Sequence, residues 1–247
     1  MVTGGSQGLG RAIARELAEV GADIAIFDVD VERGEQVASE LSASTGVRGR
    51  CYRVDVSDSA QVDDAFERAV RDFGRLEILV NNAGVAHVGA QTQDTTNEHW
   101  RRTIAVMQDG VFYCMRGGSR YMLAQGRGSI VNVSSIRGFA PKPGRIAYCA
   151  AKAAVLMMTK VAAAEWGPKG VRVNAVAPGF VQTSMWEWGV TSGVVDEDAL
   201  INVVPARRIA QPQEVAKLVA FLCSDAAGYI TGSVNVIDGG ATIATFA

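Results

Sequence analysis

The sequence is poor in the features that mark unusual classes of protein. Charged residues make up only 20% of its 247 residues, hydrophobic residues make up 48%, and the 27 glycines follow no repeat, so a disordered or collagen-like chain is excluded. We find no apolar run of the roughly 18 residues that a membrane helix needs, so no membrane span is expected. The 24 basic and 26 acidic residues are interspersed, which argues against a nucleic-acid surface.

Cysteine is scarce, and its spacing does not suggest metal binding. The four cysteines, at positions 51, 114, 149 and 223, form neither a C-x-x-C pair nor a zinc-finger pattern. We therefore expect reduced thiols, no metal site and a cytoplasmic protein. The first residues, MVTGG, contain no basic or strongly apolar segment, so no secretory signal is expected.

Apolar strand-like runs alternate with helical stretches along the whole chain. Such alternation predicts a parallel sheet with helices on both faces, and right-handed crossovers make the sheet doubly wound. No linker or change of composition divides the chain, so we expect one α/β domain over residues 1–247, with about seven strands. Strands are predicted at 23–28, 49–54, 76–80, 129–134, 171–176 and 234–237, and helices at 11–20, 31–44, 59–73, 98–125, 147–166 and 213–224.

The segment 184–205 interrupts this alternation. It contains Met185, Trp186 and Trp188 and shows no clear period. A long insertion without regular structure usually acts as a lid over a binding site. We therefore expect a substrate lid in which these three side chains offer apolar contact. The alternative is a small pair of helices packed on the edge of the fold.

A glycine-rich loop precedes the first helix. Residues 3–10 are TGGSQGLG, and their glycines allow a tight turn and a close approach of backbone N–H groups to a phosphate at the helix N-terminus. The spacing is G-x-x-x-G-x-G rather than G-x-G-x-x-G, and a glycine loop alone is weak support for dinucleotide binding. Asp28 strengthens it, because an acidic residue about 20 positions on can bind the ribose hydroxyls.

The surroundings of Asp28 favour NAD over NADP. A carboxylate at that place repels a 2′-phosphate. The following residues Val29 and Asp30 and the loop residues Ser6 and Gln7 carry no positive charge that would attract one. The sequence therefore predicts NAD as the cofactor. The alternative for Asp28 is a turn or helix-capping residue.

Three further residues suggest proton transfer. Tyr148 and Lys152 are four apart and so share one helical face. A tyrosine has a pKa of about 10 and is a poor base at neutral pH, but a nearby ammonium lowers that pKa. Such a tyrosine exchanges a proton with an alcohol or carbonyl oxygen, which Ser135 could also hydrogen-bond. The Tyr148–Lys152 pair indicates catalysis only together with the glycine loop and Ser135, since Tyr and Lys at this spacing are common on solvated helices.

At this point the chain resembles the short-chain dehydrogenase/reductase superfamily over essentially all of its length. The resemblance rests on the order and spacing of several motifs, and it implies a Rossmann-like fold. Three residues separate the motif's tyrosine from its lysine, unlike the longer spacing of the enoyl-reductase branch. The motifs are TGGSQGLG at 3–10, NNAG at 81–84, SS at 134–135, YCAAK at 148–152, PGFVQT at 178–183 and VNVIDGG at 234–240.

The resemblance implies a role for each matching residue. Tyr148 is implied to be the acid/base, Lys152 to lower its pKa and hold the nicotinamide ribose, and Ser135 to orient the substrate oxygen. Asp55 and Val56 match the pair that contacts adenine. The residues expected to bind the cofactor are Gly4, Ser6, Gln7, Gly8, Leu9, Asp28, Asp55, Val56, Asn82, Ala83, Gly84, Tyr148, Lys152, Pro178, Gly179, Val181 and Thr183.

Two positions depart from the family pattern. Met107 stands where the family carries a fourth catalytic residue, an asparagine, whose main-chain carbonyl holds a water in the proton relay. An asparagine side chain can help to distort the helix and free that carbonyl, whereas methionine cannot hydrogen-bond in this way, so we expect a slower or altered relay. Only Met1 and Val2 precede Thr3, so the first strand is expected to be short, through truncation or a misassigned start.

The substrate is specified only as a class. We expect a secondary alcohol or ketone of polyol, sugar or hydroxyacyl type. Arg137, Arg145 and His87 are candidates to meet a polar or anionic group, although each could equally be a surface residue. The helix that follows Tyr148 is apolar nearly all round, which is typical of a buried helix, so one face would pack on the sheet and the other needs a partner. This agrees with the homotetramer or homodimer that the family resemblance implies.

Two alternatives stay open from the sequence. One is an NADPH-linked 3-ketoacyl reductase, which Asp28 disfavours. The other is a cofactor-binding protein with little turnover, which Met107 and the short first strand suggest. Ser135, Tyr148 and Lys152 at working spacing argue against it, because a protein without a catalytic role needs none of them.

Overall fold

A seven-stranded sheet forms the centre of the molecule in a computed structural model, which describes residues 1–85, 89–191 and 195–243. The strand order is β3-β2-β1-β4-β5-β6-β7, and every ladder between named strands is parallel. This order confirms the predicted doubly wound sheet. The strands are β1 (Val2–Thr3), β2 (Ile24–Asp28), β3 (Gly49–Arg53), β4 (Ile78–Asn81), β5 (Gly128–Val133), β6 (Val171–Pro178) and β7 (Val234–Ile237).

Helices cover both faces of this sheet. The cluster of buried side chains on one face includes residues of α1, α2 and α9, and the cluster on the other face includes residues of α3, α5 and α6. The helices are α1 (Gly8–Glu19), α2 (Val31–Thr45), α3 (Ser59–Phe73), α4 (Asn97–Ile104), α5 (Gly110–Gln125), α6 (Ile146–Trp166), α7 (Ser184–Thr191), α8 (Glu197–Val203) and α9 (Pro212–Cys223).

The central strands are buried on both faces, and their composition explains why. All five residues of β2 are buried, as are five of the six residues of β5. Strands covered on both sides are continuously apolar rather than alternating. Phe27 of β2 packs edge-on against Phe66 of α3, with ring centroids 5.3 Å apart, and both rings are fully buried. Such contacts hold the α3, α5 and α6 layer on its face of the sheet.

The first strand is short, as expected. Val2 pairs with Ile26 of β2 and with Val80 of β4, so two residues bridge the centre of the sheet. The α-amino group of Met1 donates a hydrogen bond of 2.9 Å to the carbonyl oxygen of Ile78. A cavity of 380 Å³ lies at this amino-terminal edge. Ligands of doubly wound sheets bind at the opposite edge, beyond the carboxyl ends of the strands.

The long helix predicted over 98–125 is divided by a π turn. Residues Ala105–Asp109 form this turn between α4 and α5, and the N–H of Gly110 donates to the carbonyl oxygen of Ala105. Gly110 also packs closely on Val56, because a Cβ built on it would lie 2.8 Å from a Val56 methyl carbon. Met107 lies inside the turn. The helix is therefore distorted at this place although the residue is a methionine and not an asparagine.

Helix α6 corrects the expectation that the chain has no segment apolar enough to span a membrane. Residues 146–169 form a helical stretch of 24 residues with a mean hydropathy of 1.4, long and apolar enough to span a membrane by length and composition alone. The core helix of a soluble protein passes the same test. One side of α6 packs on the sheet through buried residues such as Val155 and Thr159, while Met157 and Val161 on another side are exposed by 59% and 49%.

The described parts of the segment 184–205 contain two helices. These are α7 and α8, which correspond to the pair of helices that the sequence left as the alternative to an irregular insertion. Trp186 is half-buried, its indole donates a hydrogen bond of 3.4 Å to Glu197 of α8, and its ring lies 5.9 Å from that of Phe180. The side chains of Met185 and Trp188 lie outside the described part of the structure.

Candidate active site

The glycine loop joins β1 to α1 at the carboxyl edge of the sheet. Gly4 and Gly8 adopt positive φ angles of 64° and 53°, which favour glycine. A Cβ on Gly10 would lie 2.0 Å from the carbonyl oxygen of Gly4, so the loop closes tightly only with glycine there. The side chain of Gln7 does not cap α1, and the first N–H groups of a helix lack partners within it. These groups present positive charge to the cleft.

A polar network fixes this loop against the end of β4. The side-chain amide of Asn82 donates to the carbonyl oxygens of Thr3 and Gly4, each at 3.1 Å. The Thr3 hydroxyl accepts hydrogen bonds from the backbone N–H groups of Asn82 and Ala83. Gly84 follows at the wall of the cleft. The residues of NNAG therefore hold the loop in place.

Asp28 ends β2 beside the loop. Its carboxylate accepts hydrogen bonds from the backbone N–H groups of Ser6 and Asp30, both at 3.0 Å, and each oxygen keeps a second lone pair for a ligand. Positive charge is closer than the sequence suggested. Arg33, in the first turn of α2, donates a hydrogen bond of 2.8 Å to Gln7. The register of β2 and β3 places Arg53 beside Asp28. The inference that no cation lies near the loop was therefore wrong.

Buried hydrogen bonds hold α6 against β5. The ammonium of Lys152 donates a hydrogen bond of 2.8 Å to the carbonyl oxygen of Val133, and the Ser134 hydroxyl donates to the carbonyl oxygen of Lys152. Two turns further along α6, the Asn132 amide donates to the Thr159 hydroxyl at 2.9 Å. Polar groups buried at 0–5% exposure need such partners. The bonds therefore set the register of α6 on the sheet.

That register brings the three predicted reacting side chains together. Tyr148 and Ser135 share a hydrogen bond between their hydroxyls. The Lys152 ammonium lies 5.8 Å from the centroid of the Tyr148 ring. Burial raises the pKa of Tyr148, and the Ser135 hydrogen bond and the charges of Arg145 and Arg137 oppose this. The expected lowering of the tyrosine pKa by the lysine is therefore not found in the protein alone. Burial also lowers the pKa of Lys152 to about 8.

These side chains open into a cavity of 340 Å³ at the carboxyl ends of the strands. The cavity lies between β4, β5, the start of α6, the segment after β6 and the α7–α8 pair. Met107 lies here too, with its terminal methyl 3.0 Å from the point where a Gly84 Cβ would be. The predicted residues on its wall are Leu9, Asn82, Gly84, Ser135, Tyr148, Lys152, Pro178, Gly179, Val181, Thr183 and Trp186.

Other predicted residues lie beside this cavity and not on its wall. They belong to the glycine loop and to the ends of β2, β3 and β4, where an elongated ligand would extend from the cavity. Val56 is buried against Gly110, and Asp55 accepts hydrogen bonds from Ser57. The set comprises Gly4, Ser6, Gln7, Gly8, Asp28, Asp55, Val56 and Ala83. His87 lies outside the described residues.

The structure also brings residues to the cavity that the sequence did not identify. Phe180 lies on the wall inside the PGFVQT motif, and the apolar side chains Val195 and Leu200 come from the α7–α8 region. Lys142 comes from the loop before α6 and carried no signal in the sequence. Arg137 and Arg145, which the sequence left as candidates, line the same cavity.

The groove as a whole has the features that a dinucleotide requires. The free end of α1 and the positive-φ glycines suit a pyrophosphate, and Asp28 suits a ribose. Gly8 faces Thr183 across the groove, since a Cβ on Gly8 would lie 3.8 Å from the Thr183 side chain. The loop and the segment after β6 are thus close enough to hold the same ligand. The residues present therefore fit a nicotinamide dinucleotide.

Comparison with known proteins agrees with this geometry. A family model described as "Enoyl-(Acyl carrier protein) reductase" matches residues 4–242. The chain is 40% identical over 245 residues to D-threitol dehydrogenase of Mycolicibacterium smegmatis, covering 98% of this chain and 92% of that protein. It is 41% identical over 243 residues to cis-4-hydroxycyclohexanecarboxylate dehydrogenase of Sinomonas cyclohexanicum, covering 98% of this chain and 95% of that protein.

Solved structures share the fold over nearly the whole chain. A crystal structure of NAD+-bound xylitol dehydrogenase superimposes with a TM-score of 0.92 at 33% identity, covering 97% of this chain and 96% of that one. A structure of ElxO with NADP bound superimposes with a TM-score of 0.91 at 34% identity, covering 98% of this chain and 97% of that one. The two neighbours hold different nicotinamide cofactors.

The buried ammonium of Lys152 generates a prediction about stability. Its pKa is about 8 in the folded protein and about 10.4 in an unfolded chain, so the unfolded state binds more protons between these values. Stability therefore rises with pH across that window, and below pH 8 the cost of the buried charge is complete. We expect the wild type to gain up to about 3 kcal/mol relative to Lys152→Met between pH 8 and 10.5 in urea unfolding.

Lys160, exposed on the same helix, provides the matched control. Lys160→Met is expected to keep the wild-type pH dependence of the unfolding free energy. If the unfolding free energies of wild type and Lys152→Met differ by the same amount at every pH, the lowered pKa assigned to Lys152 is contradicted.

Proposed function

The chain belongs to the short-chain dehydrogenase/reductase superfamily and is an oxidoreductase that acts on CH–OH groups; from this premise we propose that it uses NAD to interconvert a secondary alcohol and its ketone. The substrate class we propose is a polyol, sugar or hydroxyacyl compound. The observation that carries the proposal is the meeting of Ser135, Tyr148 and Lys152 at one cavity beside a groove that fits a dinucleotide.

Tyr148 and Ser135 are proposed to act on the substrate oxygen. When bound, the nicotinamide supplies or accepts the hydride at the reacting carbon. In reduction, the Tyr148 hydroxyl gives its proton to the carbonyl oxygen while the Ser135 hydroxyl hydrogen-bonds that oxygen. The raised pKa of Tyr148 keeps this proton in place at neutral pH. In oxidation the Tyr148 hydroxyl first releases its proton to solvent through the exchange that Lys152 is proposed to serve, and the Tyr148 oxygen then takes the proton of the alcohol.

Lys152 is proposed to serve this proton exchange and to hold the nicotinamide ribose. Its pKa of about 8 places its protonation close to neutral pH, where a group exchanges protons in both directions. Met107 contributes a main-chain carbonyl from the π turn, so the helix is distorted here without the asparagine of the family pattern. An altered proton relay remains a prediction, and it now rests only on the fact that the Met107 side chain cannot hydrogen-bond as an asparagine does.

The α7–α8 pair is proposed to be the substrate lid of a single domain. Trp186, Val195 and Leu200 place apolar surface from this region on the cavity wall. Short helices joined to the sheet by loops can move as a unit, and closure over a substrate would exclude water. A cytoplasmic location is proposed from the four free cysteines, because an oxidising compartment favours pairing.

The cofactor preference can be tested at Asp28 and Arg33. We expect the wild type to bind NAD about tenfold more tightly than NADP, because the carboxylate repels a 2′-phosphate more than Arg33 attracts it. Asp28→Asn should reduce the preference for NAD over NADP, because NADP would bind more tightly. Arg33→Gln should increase that preference. Fluorescence titration of each cofactor measures both. Glu40→Gln, an exposed acid on α2, is the control. Equal or tighter binding of NADP by the wild type would overturn the NAD assignment.

The role of Tyr148 can be tested by removing its hydroxyl. Tyr148→Phe should reduce turnover by about 10²–10⁴-fold, because the proton donor is lost, while NAD still binds. Turnover is followed by the absorbance of the reduced nicotinamide with a panel of polyols and secondary alcohols. Tyr229→Phe removes an equivalent hydroxyl at a fully exposed position and should retain turnover.

The same assays separate the alternatives. Turnover of 3-ketoacyl thioesters with NADPH and none with alcohols and NAD would favour the ketoacyl reductase. Tight NAD binding without turnover of any member of the panel would favour the low-turnover binding protein.

We also propose that the chain forms a homotetramer or homodimer through α6. Met157 and Val161 of α6 are exposed, as are Phe112 of α5 and Trp100 of α4, and α4 packs beside α6. Exposed apolar side chains gathered on neighbouring helices are typical of an interface between copies. Light scattering should therefore give a mass of at least two chains. Met157→Glu should reduce that mass, whereas Val20→Glu, at the exposed residue that follows α1, should not. A wild-type monomer at micromolar concentration would refute the proposal.

A further inference from the structure

Three positive side chains line the cavity beside the reacting hydroxyls. Arg137 follows Ser135 by two residues, Lys142 belongs to the loop before α6, and Arg145 precedes Tyr148 by three residues. The charges of Arg145 and Arg137 both act on Tyr148. The three cations therefore surround the position where a substrate meets Tyr148.

Among the residues that the structure describes, no aspartate or glutamate lies on the cavity wall with these cations. None of the ion pairs among residues 1–85, 89–191 and 195–243 includes Arg137, Lys142 or Arg145. Segments 86–88, 192–194 and 244–247 contain no acidic residue in the sequence, so they bring none to the cavity. Glu197 lies nearby on α8 and accepts a hydrogen bond from Trp186 without lining the cavity.

The cluster is electrostatically costly to the protein alone. Although Lys142 is largely exposed, partial desolvation of its ammonium lowers its pKa, and the charges of Arg137 and Arg145 lower it further. The N-terminus of α6, which begins at Ile146, adds its partial positive charge at the same place. A bound anion would offset this repulsion. Positive charge concentrated in a cleft also attracts anionic substrates from solution.

We propose that the substrate of this site is an acid: a secondary alcohol, or its ketone, that carries a carboxylate or phosphate held by the cations beside Tyr148. This inference rests on the function proposed above and names its substrate class. The reacting C–OH would contact Ser135 and Tyr148, and the acid group would lie toward Lys142 and Arg145. The apolar side chains Phe180, Trp186 and Leu200 would contact the carbon skeleton between them.

Arg145 and Lys142 are the side chains with the most freedom to bind such an acid group. Arg137 already donates a hydrogen bond of 3.4 Å to the carbonyl oxygen of Ala140, and its guanidinium lies 5.8 Å from the centroid of the Phe180 ring. Arg145 is half-buried, and Lys142 is exposed at the rim of the cavity. We therefore assign the binding of the acid group to Arg145 and Lys142, whereas Arg137 forms part of the cavity wall.

The test compares probes that differ in charge and little in shape. Calorimetry on the enzyme loaded with reduced cofactor would measure the binding of cyclohexanecarboxylate, cyclohexanecarboxamide and cyclohexyl phosphate, none of which has a hydroxyl to react. We expect one acid probe to bind at least about tenfold more tightly than the neutral amide. The acid probe that binds better identifies the acid group. Turnover is compared between 4-hydroxycyclohexanecarboxylate and its primary amide.

Two variants and a matched control complete the test. Arg145→Gln and Lys142→Gln should each reduce the preference for the acid over the amide by about tenfold, mainly through the binding constant and KM. Arg15→Gln removes the same charge from α1, where Arg15 forms an exposed ion pair with Glu19, and should leave the preference unchanged.

The outcomes separate this inference from the proposed function. Turnover of neutral alcohols with no preference for either acid probe would overturn the inference and leave the dehydrogenase assignment in place. Absence of turnover with every alcohol would contradict the proposed function, while the calorimetry would still decide the acid preference. Equal loss of preference in Arg15→Gln would also overturn the inference, because net charge alone would then explain it.

Discussion

The hydrogen bond from the buried Lys152 ammonium to the Val133 carbonyl oxygen fixes α6 on the sheet, and the site depends on that contact. A buried ammonium without a partner is expensive, so few other registers of α6 are available. The Ser134 bond to the Lys152 carbonyl and the Asn132 bond to Thr159 favour the same register. Tyr148, one turn before Lys152, is thereby directed at Ser135.

The same burial explains the acid–base properties of the site. Low solvent access disfavours a charged ammonium and a charged phenolate, so burial raises the pKa of Tyr148 and lowers the pKa of Lys152, and the two values move apart. A neutral tyrosine beside a lysine with a pKa of about 8 is suited to passing protons near neutral pH. Arg137 and Arg145, which line the cavity, also act on Tyr148 from the side where the substrate would bind. The same cations would therefore affect both the binding of a charged substrate and the proton transfer by Tyr148.

Much of the fold could be predicted because its signals are local. Strand β5 and helix α6 were predicted to within one residue, since an apolar run and a helical face are properties of consecutive residues. The π turn inside 98–125 could not be predicted in this way, because the helical pattern runs through it without a break; its neighbour Gly110 packs on Val56, far away in the chain. The α7–α8 helices were left as an alternative because the segment 184–205 shows no clear helical period.

The sequence by itself determined the alternating α/β pattern, the glycine loop and the spacing of Ser135, Tyr148 and Lys152, because each is encoded within a few neighbouring residues. The other properties depend on the folded molecule. Folding placed Arg33 against Gln7, turned Arg137, Lys142 and Arg145 toward one cavity, and buried Lys152 deeply enough to lower its pKa. These properties depend on how separate helices, strands and loops pack against one another and on the exclusion of water, and neither can be read from neighbouring residues.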